Sequence, residues 1–379
     1  MREAVLRGWE AEVLTFQVHD WQPREEMIDG IRVRRCPAGV RKGKPFAWPF
    51  IHALLTSDAD IFFCHGYGEG RSELAILLAR LCGRKVIFTP HFHYYPYRRP
   101  LREWYDRTFG RFFFNCSNRV VVFTDYTYQQ LLALGVRSER LCIIPHVARP
   151  DVFDCHTDHS PGALLCEAGV TSDPLILGVG QLIERKGWEY TVRCLPEIVA
   201  RFPDAKLLIV GPSQPAEPVF HLRLLQLATD LKVIDHLQIL QDNSPEFILD
   251  AYRSATLLTH PSFVESFGMV LLEAMTVGKA VVAHNRTGIP GIVEHNITGY
   301  VIDVCNISHY TEALLSLLCD PALRQRMGEA ARRRALTHFN QARSAEKLFQ
   351  IFSELVDHSS SIHKDAVSYT EQETPVASE

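Results

Sequence analysis

The chain has 379 residues, beyond the size at which a single hydrophobic core keeps growing, so two domains are expected. Apolar residues make up 46% and charged residues 22%, a globular balance that excludes overall disorder. The net charge of −4 gives no basis for a nucleic-acid partner. No apolar run is long enough to span a bilayer, and the first ten residues lack the apolar centre of a signal peptide. The ten cysteines show no Cys-x-x-Cys spacing and mostly sit in apolar runs. They read as reduced core residues of a cytoplasmic protein, not as a disulfide framework or a zinc site.

In chain order, β-rich runs fall at 12–16, 31–34, 61–65, 85–89, 119–123 and 142–145, then at 175–179, 206–210, 237–240, 255–259, 280–283 and 299–302. Helical patterns lie between most of them, for instance at 74–81, 127–134, 188–202 and 245–253. This alternation predicts an α/β protein with parallel sheets and right-handed crossovers. Two such series predict two Rossmann-like doubly wound domains with ligand in the cleft between them. The expected division is 1–156 for the first domain and 157–340 for the second, with a polar break at 154–174. A last helical pattern follows at 341–356. Residues 357–379 are rich in Ser, Asp, Glu and Thr and are expected to form a disordered tail.

The most informative stretch is His260-Pro261-Ser262-Phe263-Val264-Glu265-Ser266-Phe267-Gly268, which runs into an apolar-periodic segment holding Glu273. A short polar loop with Gly268 feeding a helix leaves free backbone N–H groups at the positive end of a dipole, which suits a phosphate. A carboxylate on either side of that cradle could bind hydroxyls at both ends of a nucleotide-diphosphate-sugar. Eight helical residues rise about 12 Å, roughly the reach across a diphosphate. Glu265 is expected just before the helix. Without further context, both carboxylates would read as an ordinary loop charge and an ordinary helix charge.

Upstream stands Gly180-Gln181-Leu182-Ile183-Glu184-Arg185-Lys186-Gly187. With this motif and Glu-x7-Glu in the same order, the chain resembles the family 4 retaining glycosyltransferases of the GT-B fold, from about residue 5 to about residue 356. The resemblance implies that the second domain holds the donor and the first the acceptor, and that the helix at 341–356 crosses back to the first domain. It implies that Lys186 neutralises the departing diphosphate and that N–H groups of Ser266, Phe267 and Gly268 cradle it. Glu273 would take the ribose hydroxyls. Glu265 would take sugar hydroxyls and face the charge at the anomeric carbon. His91, after the strand at 85–89, would stand near sugar and acceptor, with His93 as the alternative. The implied co-substrate is a nucleotide-diphosphate-sugar of UDP or GDP, with no cofactor and no metal. The implied acceptor is a glycan, a lipid-linked sugar or a small molecule.

The chain departs from the family at several points. Gln181 stands where the family has an Arg, with Arg185 as a substitute cation. Pro145-His146-Val147 replaces Pro-Asn-Gly at the hinge, and Gly291 replaces a Glu. The family's first strand and Gly-rich loop have no counterpart, and residues 3–8 read as the end of its first helix. Two rival functions follow. One is a non-catalytic nucleotide-sugar-binding subunit or truncated inactive homologue. The other is a nucleotide-sugar epimerase on the same fold. Asp58-Ala59-Asp60 precedes its strand, on the wrong side of the sheet for a metal site. Gly66-Tyr67-Gly68-Glu69-Gly70 resembles a phosphate loop only weakly. Aromatic and basic residues mix at 94–111, which suits a peripheral contact with an anionic membrane face as well as a solvated helix.

Overall fold

The computed structural model describes residues 2–17, 21–37, 48–68, 70–91, 100–153, 162–213, 217, 219–241 and 244–360. The second domain is a six-stranded parallel sheet built from β8 (Leu175–Val179), β9 (Lys206–Val210), β10 (Leu237–Leu240), β11 (Leu257–His260), β12 (Val281–His284) and β13 (Gly299–Ile302). Its spatial order is β10-β9-β8-β11-β12-β13, and every neighbouring pair is parallel. Strands β8, β11 and β12 are buried along their whole length, as expected of strands covered on both faces. Two clusters form this core. One gathers Leu177, Leu208 and Leu258 with Leu271, Leu272 and Met275. The other gathers Ile176, Leu207 and Ile209 with Trp188, Leu195 and Leu314.

The direction of sheet growth reverses between β8 and β11. After β8 the chain adds strands on one side, and after β10 it returns to β8's other edge. Loops leaving two adjacent strands there diverge to opposite faces, which opens a crevice at their C-terminal ends.

In the first domain, β4 (Ile61–His65), β5 (Lys85–Thr89), β6 (Arg119–Val122) and β7 (Leu141–Ile143) form a parallel sheet in sequence order. A separate three-stranded sheet has the order β1-β3-β2, from β1 (Glu12–Gln17), β2 (Glu25–Ile28) and β3 (Ile31–Pro37). Strand β2 was not expected. Its only partner is β3, antiparallel, and its side chains are mostly exposed, so it lacks the apolar alternation that marks a strand.

The helix Gln341–Ser360 leaves the second domain and packs on the first. Ile351 and Leu355 join Ile87, Val121 and Ile144 in one buried cluster. The Trp9 ring lies 6.1 Å from Phe349 and 5.6 Å from Phe352. Arg119 Nη2 donates to Glu354 Oε2 at 3.0 Å. This helix continues to Ser360, into the stretch expected to be a disordered tail. The polar break at 154–174 likewise contains a short helix, Ala163–Glu167, held by Asp250, whose carboxylate accepts from Gly162 N at 2.6 Å and Leu165 N at 3.1 Å.

Two sequence readings need correction or refinement. Of the nine described cysteines, all free, four are exposed (Cys82, Cys166, Cys305 and Cys319), so the assignment of the cysteines to the core holds only in part. Cys82 and Cys319 lie at helix ends, Cys166 in a short helix and Cys305 in the loop after β13. The weak phosphate-loop candidate is already filled by protein: Gly68 N and Gly70 N donate to the buried Glu73 carboxylate at 2.6 and 3.0 Å. Among the described residues, no helix is long and apolar enough to cross a membrane.

Ile351→Ala should destabilise the chain by about 2–4 kcal/mol, the usual result of truncating a buried aliphatic side chain. Urea unfolding would measure it, and an unchanged midpoint would show that this helix does not hold the first domain.

Candidate active site

The crevice between β8 and β11 collects the residues singled out in the sequence. After β8, the chain makes a single helical turn at Glu184–Lys186 and ends it at Gly187 with φ +70°. A β-carbon there would lie 2.5 Å from the Pro261 carbonyl oxygen, so only glycine lets this turn press against the loop after β11. That contact brings Lys186 to Glu265. Both side chains are nearly buried, and the Lys186 ammonium is ion-paired with Glu265 Oε1. His260, the last residue of β11, places Nε2 3.1 Å from the same oxygen. Thr287 Oγ1 accepts from Glu265 N at 2.9 Å and fixes the loop from the β12 side.

The electrostatics of this cluster have a clear direction. Burial alone would raise the Glu265 carboxyl, but the hydrogen bond from His260 and the Lys186 charge outweigh it, holding it well below the usual carboxylate range. Burial lowers His260 more than its bond to Glu265 raises it. Its Nε2 faces the carboxylate, and the Lys186 ammonium brings a positive charge to the same oxygen.

Gln181 does not stand alone. Its Oε1 accepts from Arg185 Nη2 at 3.2 Å, and Arg185 Nη1 donates to Val264 O at 3.2 Å. A guanidinium thus sits at the crevice beside Lys186, where Gln181 by itself would bring no charge.

The loop 265–268 leads to the helix Met269–Thr276, so Glu265 lies four residues before its first turn. The chain needs Gly268 at its φ of +112° and Gly288 alongside, where a β-carbon would be 2.9 Å from Ser266 O. Backbone N–H groups of Ser266, Phe267 and Gly268 donate to no acceptor among the described residues. Phe267 itself is buried, so it contributes its backbone to the crevice and its ring to the core. Glu273 lies on the same helix, and its Oε2 accepts from Tyr252 Oη at 2.8 Å. Burial raises the Glu273 carboxyl, and the bond from Tyr252 offsets this only in part.

Across the cleft, His91 follows β5 with φ +48°, and its Nε2 lies 3.4 Å from His65 Nδ1 at the end of β4. Burial lowers the His91 pKa. His93 and residues 94–99 lie outside the described residues. Asp58 and Asp60 stand before β4, at the opposite edge of the sheet from His65 and His91. Among the described residues, one trio of potential metal ligands comes together, His284, Asp303 and Cys305, with ligand atoms within 4.8 Å of one another. It lies at the C-terminal ends of β12 and β13, the same end of the sheet from which the Glu265 loop leaves β11.

The sequence reading missed Tyr252, His260 and His65. His260 had a signal, a polar residue closing an otherwise apolar buried strand. Tyr252 had none, because its role depends on where its helix lies against the next.

Glu265→Gln should cost about 3–5 kcal/mol by leaving the Lys186 charge buried and unpaired. Adding Lys186→Met should recover much of that loss, which denaturant unfolding of both variants would measure. The carboxyl's folded pKa is depressed, so its contribution is complete above its unfolded value of about 4 and fades as pH falls below that range.

Residues 168–334 match the family of glycosyl transferases group 1, and residues 1–146 match the glycosyl transferase 4-like domain. A D-inositol 3-phosphate glycosyltransferase of Corynebacterium jeikeium is 32% identical over 243 residues, covering 63% of this chain and 58% of that protein. The fold is that of sucrose-phosphate synthase from Thermosynechococcus elongatus, with TM-score 0.78, 19% identity and coverage of 94% and 92% of the two chains. It is also that of Anabaena Alr3699/HepE, solved in complex with UDP and glucose, with TM-score 0.75, 17% identity and coverage of 86% and 87%. With both halves matched and the two-domain architecture shared, this chain belongs to the group 1, family 4 type glycosyltransferases of the GT-B fold.

Proposed function

We propose that the chain is a retaining, metal-independent hexosyltransferase that uses a nucleotide-diphosphate-sugar of UDP or GDP. The observation that carries this is the junction of three features on adjacent loops: the ion-paired Lys186 and Glu265, the unpartnered N–H groups of residues 266–268, and Glu273 beyond them. The Alr3699/HepE structure, with its UDP and glucose, supports a nucleotide-sugar donor.

In this reading the N–H groups and Lys186 hold the diphosphate, with Arg185 in place of the family's arginine. Glu273 Oε1, left open while Oε2 is held by Tyr252, takes the ribose hydroxyls. The bond from the anomeric carbon to the diphosphate oxygen breaks, and the acceptor oxygen bonds to that carbon on the same face. The acceptor proton passes to the departing phosphate oxygen. Lys186 and Arg185 balance the charge that develops on the leaving group, and Glu265 faces the positive charge at the anomeric carbon. These cations and backbone dipoles supply the positive charge for which other transferases use a metal.

The acceptor is a glycan, a lipid-linked sugar or a small molecule bound to the first domain near His91. A lipid-linked acceptor is favoured by Leu101, Trp104, Phe109 and Phe112, large apolar residues exposed beside Arg102, Arg107 and Arg111. Such a surface suits peripheral contact with the cytoplasmic face of an anionic membrane.

Calorimetric titration with UDP, GDP and ADP tests the donor site. One nucleotide should bind, and Glu273→Ala should weaken it about tenfold or more, the loss of one to two hydrogen bonds to a charged group. Transfer from the matching sugar donor should survive a metal chelator. Absence of nucleotide binding by the folded chain would rule this function out, and binding without turnover would leave a non-catalytic binding subunit.

A further inference from the structure

The hinge departure at Pro145-His146-Val147 acquires a definite environment in the fold. His146 follows β7, where the chain passes from the first domain to the second. Its ring stacks on Phe123 at 3.8 Å between centroids and an interplanar angle of 29°. On its other side it meets the Phe267 ring edge-on at 5.2 Å. Phe267 is buried and lies 5.6 Å from Phe339, whose carbonyl accepts from Ala148 N at 2.8 Å. Beside this stack, Thr124 Oγ1 lies 3.4 Å from Ser266 O. The end of β6, the hinge and the loop after β11 therefore converge on one aromatic wedge. The residue behind that wedge, Phe267, sits between Ser266 and Gly268, whose N–H groups face the crevice.

We infer that His146 is a positioning residue, a ring wedged between Phe123 and Phe267 that fixes the loop 265–268 against the first domain and so sets the N–H cradle for the donor diphosphate. This rests on the reading of residues 266–268 as that cradle. The physical reason is leverage. Backbone N–H groups bind a phosphate well only when held in place beforehand, and a flexible loop loses that advantage through ordering entropy. Phe267 cannot shift without moving its neighbours, and its ring is trapped by His146, Phe123 and Phe339.

The wedge also carries a pH response. Burial, with smaller contributions from the nearby His91 and His65, lowers His146 to about 4. Those two imidazoles, at the ends of β5 and β4, are the titratable groups that face it; Phe123, Phe267 and Phe339 bring no charge. A folded pKa below the unfolded value means that the neutral ring's contribution is complete above about 6.5 and is lost as pH falls toward the folded value.

Two readouts on the full chain test the inference. The amides of Leu271 and Leu272, which donate to Gly268 O, and of Gly288, which donates to Glu265 O, report the loop without any ligand. Hydrogen–deuterium exchange at these sites should quicken about tenfold in His146→Ala and return to the wild-type rate in His146→Phe, which restores a ring of similar size. UDP or GDP affinity, whichever the wild type binds, should fall about tenfold in His146→Ala and recover in His146→Phe. Between pH 6.5 and 4, the wild type should lose loop protection and His146→Phe should keep it. If His146→Ala fails to fold, Phe123→Leu removes the other half of the stack and carries the same expectation. Unchanged exchange in a folded His146→Ala, or no recovery in His146→Phe, overturns the wedge. Quickened exchange in a chain whose wild type binds neither nucleotide keeps the wedge and rejects the donor-site reading instead.

Discussion

The buried contact between Lys186 and Glu265 is the constraint on which the candidate site depends. It joins the loop after β8 to the loop after β11, two strands far apart in sequence and adjacent in space. A carboxylate in so little water would ordinarily accept a proton. Here His260 and Lys186 keep it ionised, so a negative charge stands ready at the floor of the crevice. Gly187 makes the pair reachable, because any β-carbon at that position would push the two loops apart. Arrangements of this kind, with a charge stabilised before the ligand arrives, need no reorganisation when charge later develops on the substrate.

The loops of the crevice are also tied to the first domain. His146, Phe123 and Phe267 interlock at the hinge, and the last helix returns to cover Ile87, Val121 and Ile144. The chain therefore crosses the domain boundary twice, once at the hinge and once near Phe339. Two crossings restrict the relative motion of the domains to a hinge about those points, while the ends of both sheets face one cleft. The three-stranded sheet β1-β3-β2 shares the first domain's core: Phe16 and Cys36 pack with Phe50, Ile76, Val86 and Phe88 in one buried cluster.

Much of the secondary structure was legible because the strands of the two parallel sheets carry short, largely apolar runs that need no tertiary information. Strands at 61–65, 85–89, 175–179, 206–210, 237–240 and 299–302 match the expectation residue for residue. Three elements departed from it. Strand β2 is exposed and polar, the helix at 163–167 is held by a single distant aspartate, and the final helix runs beyond its apolar pattern. Strand β2 forms through backbone pairing with its hairpin neighbour β3, and the helix at 163–167 through a side chain 85 or more residues away; apolar periodicity carries no trace of either.

The candidate site divides in the same way. Lys186, Glu265, Gly268 and Glu273 were singled out because they fall in short motifs of fixed spacing. The sequence alone thus determined the α/β class and the family, and it marked the residues that the fold gathers around one crevice. Only the tertiary structure decided that Lys186 and Glu265 touch, that Arg185 stands beside Gln181, that Tyr252 bonds Glu273, and that His146, read from the sequence only as part of the hinge, lies against Phe267 of the loop after β11. Sheet order and chain folding set those contacts: Lys186 and Glu265 are 79 residues apart and Tyr252 and Glu273 are 21, and even the local Arg185–Gln181 bond depends on the turn the chain makes there.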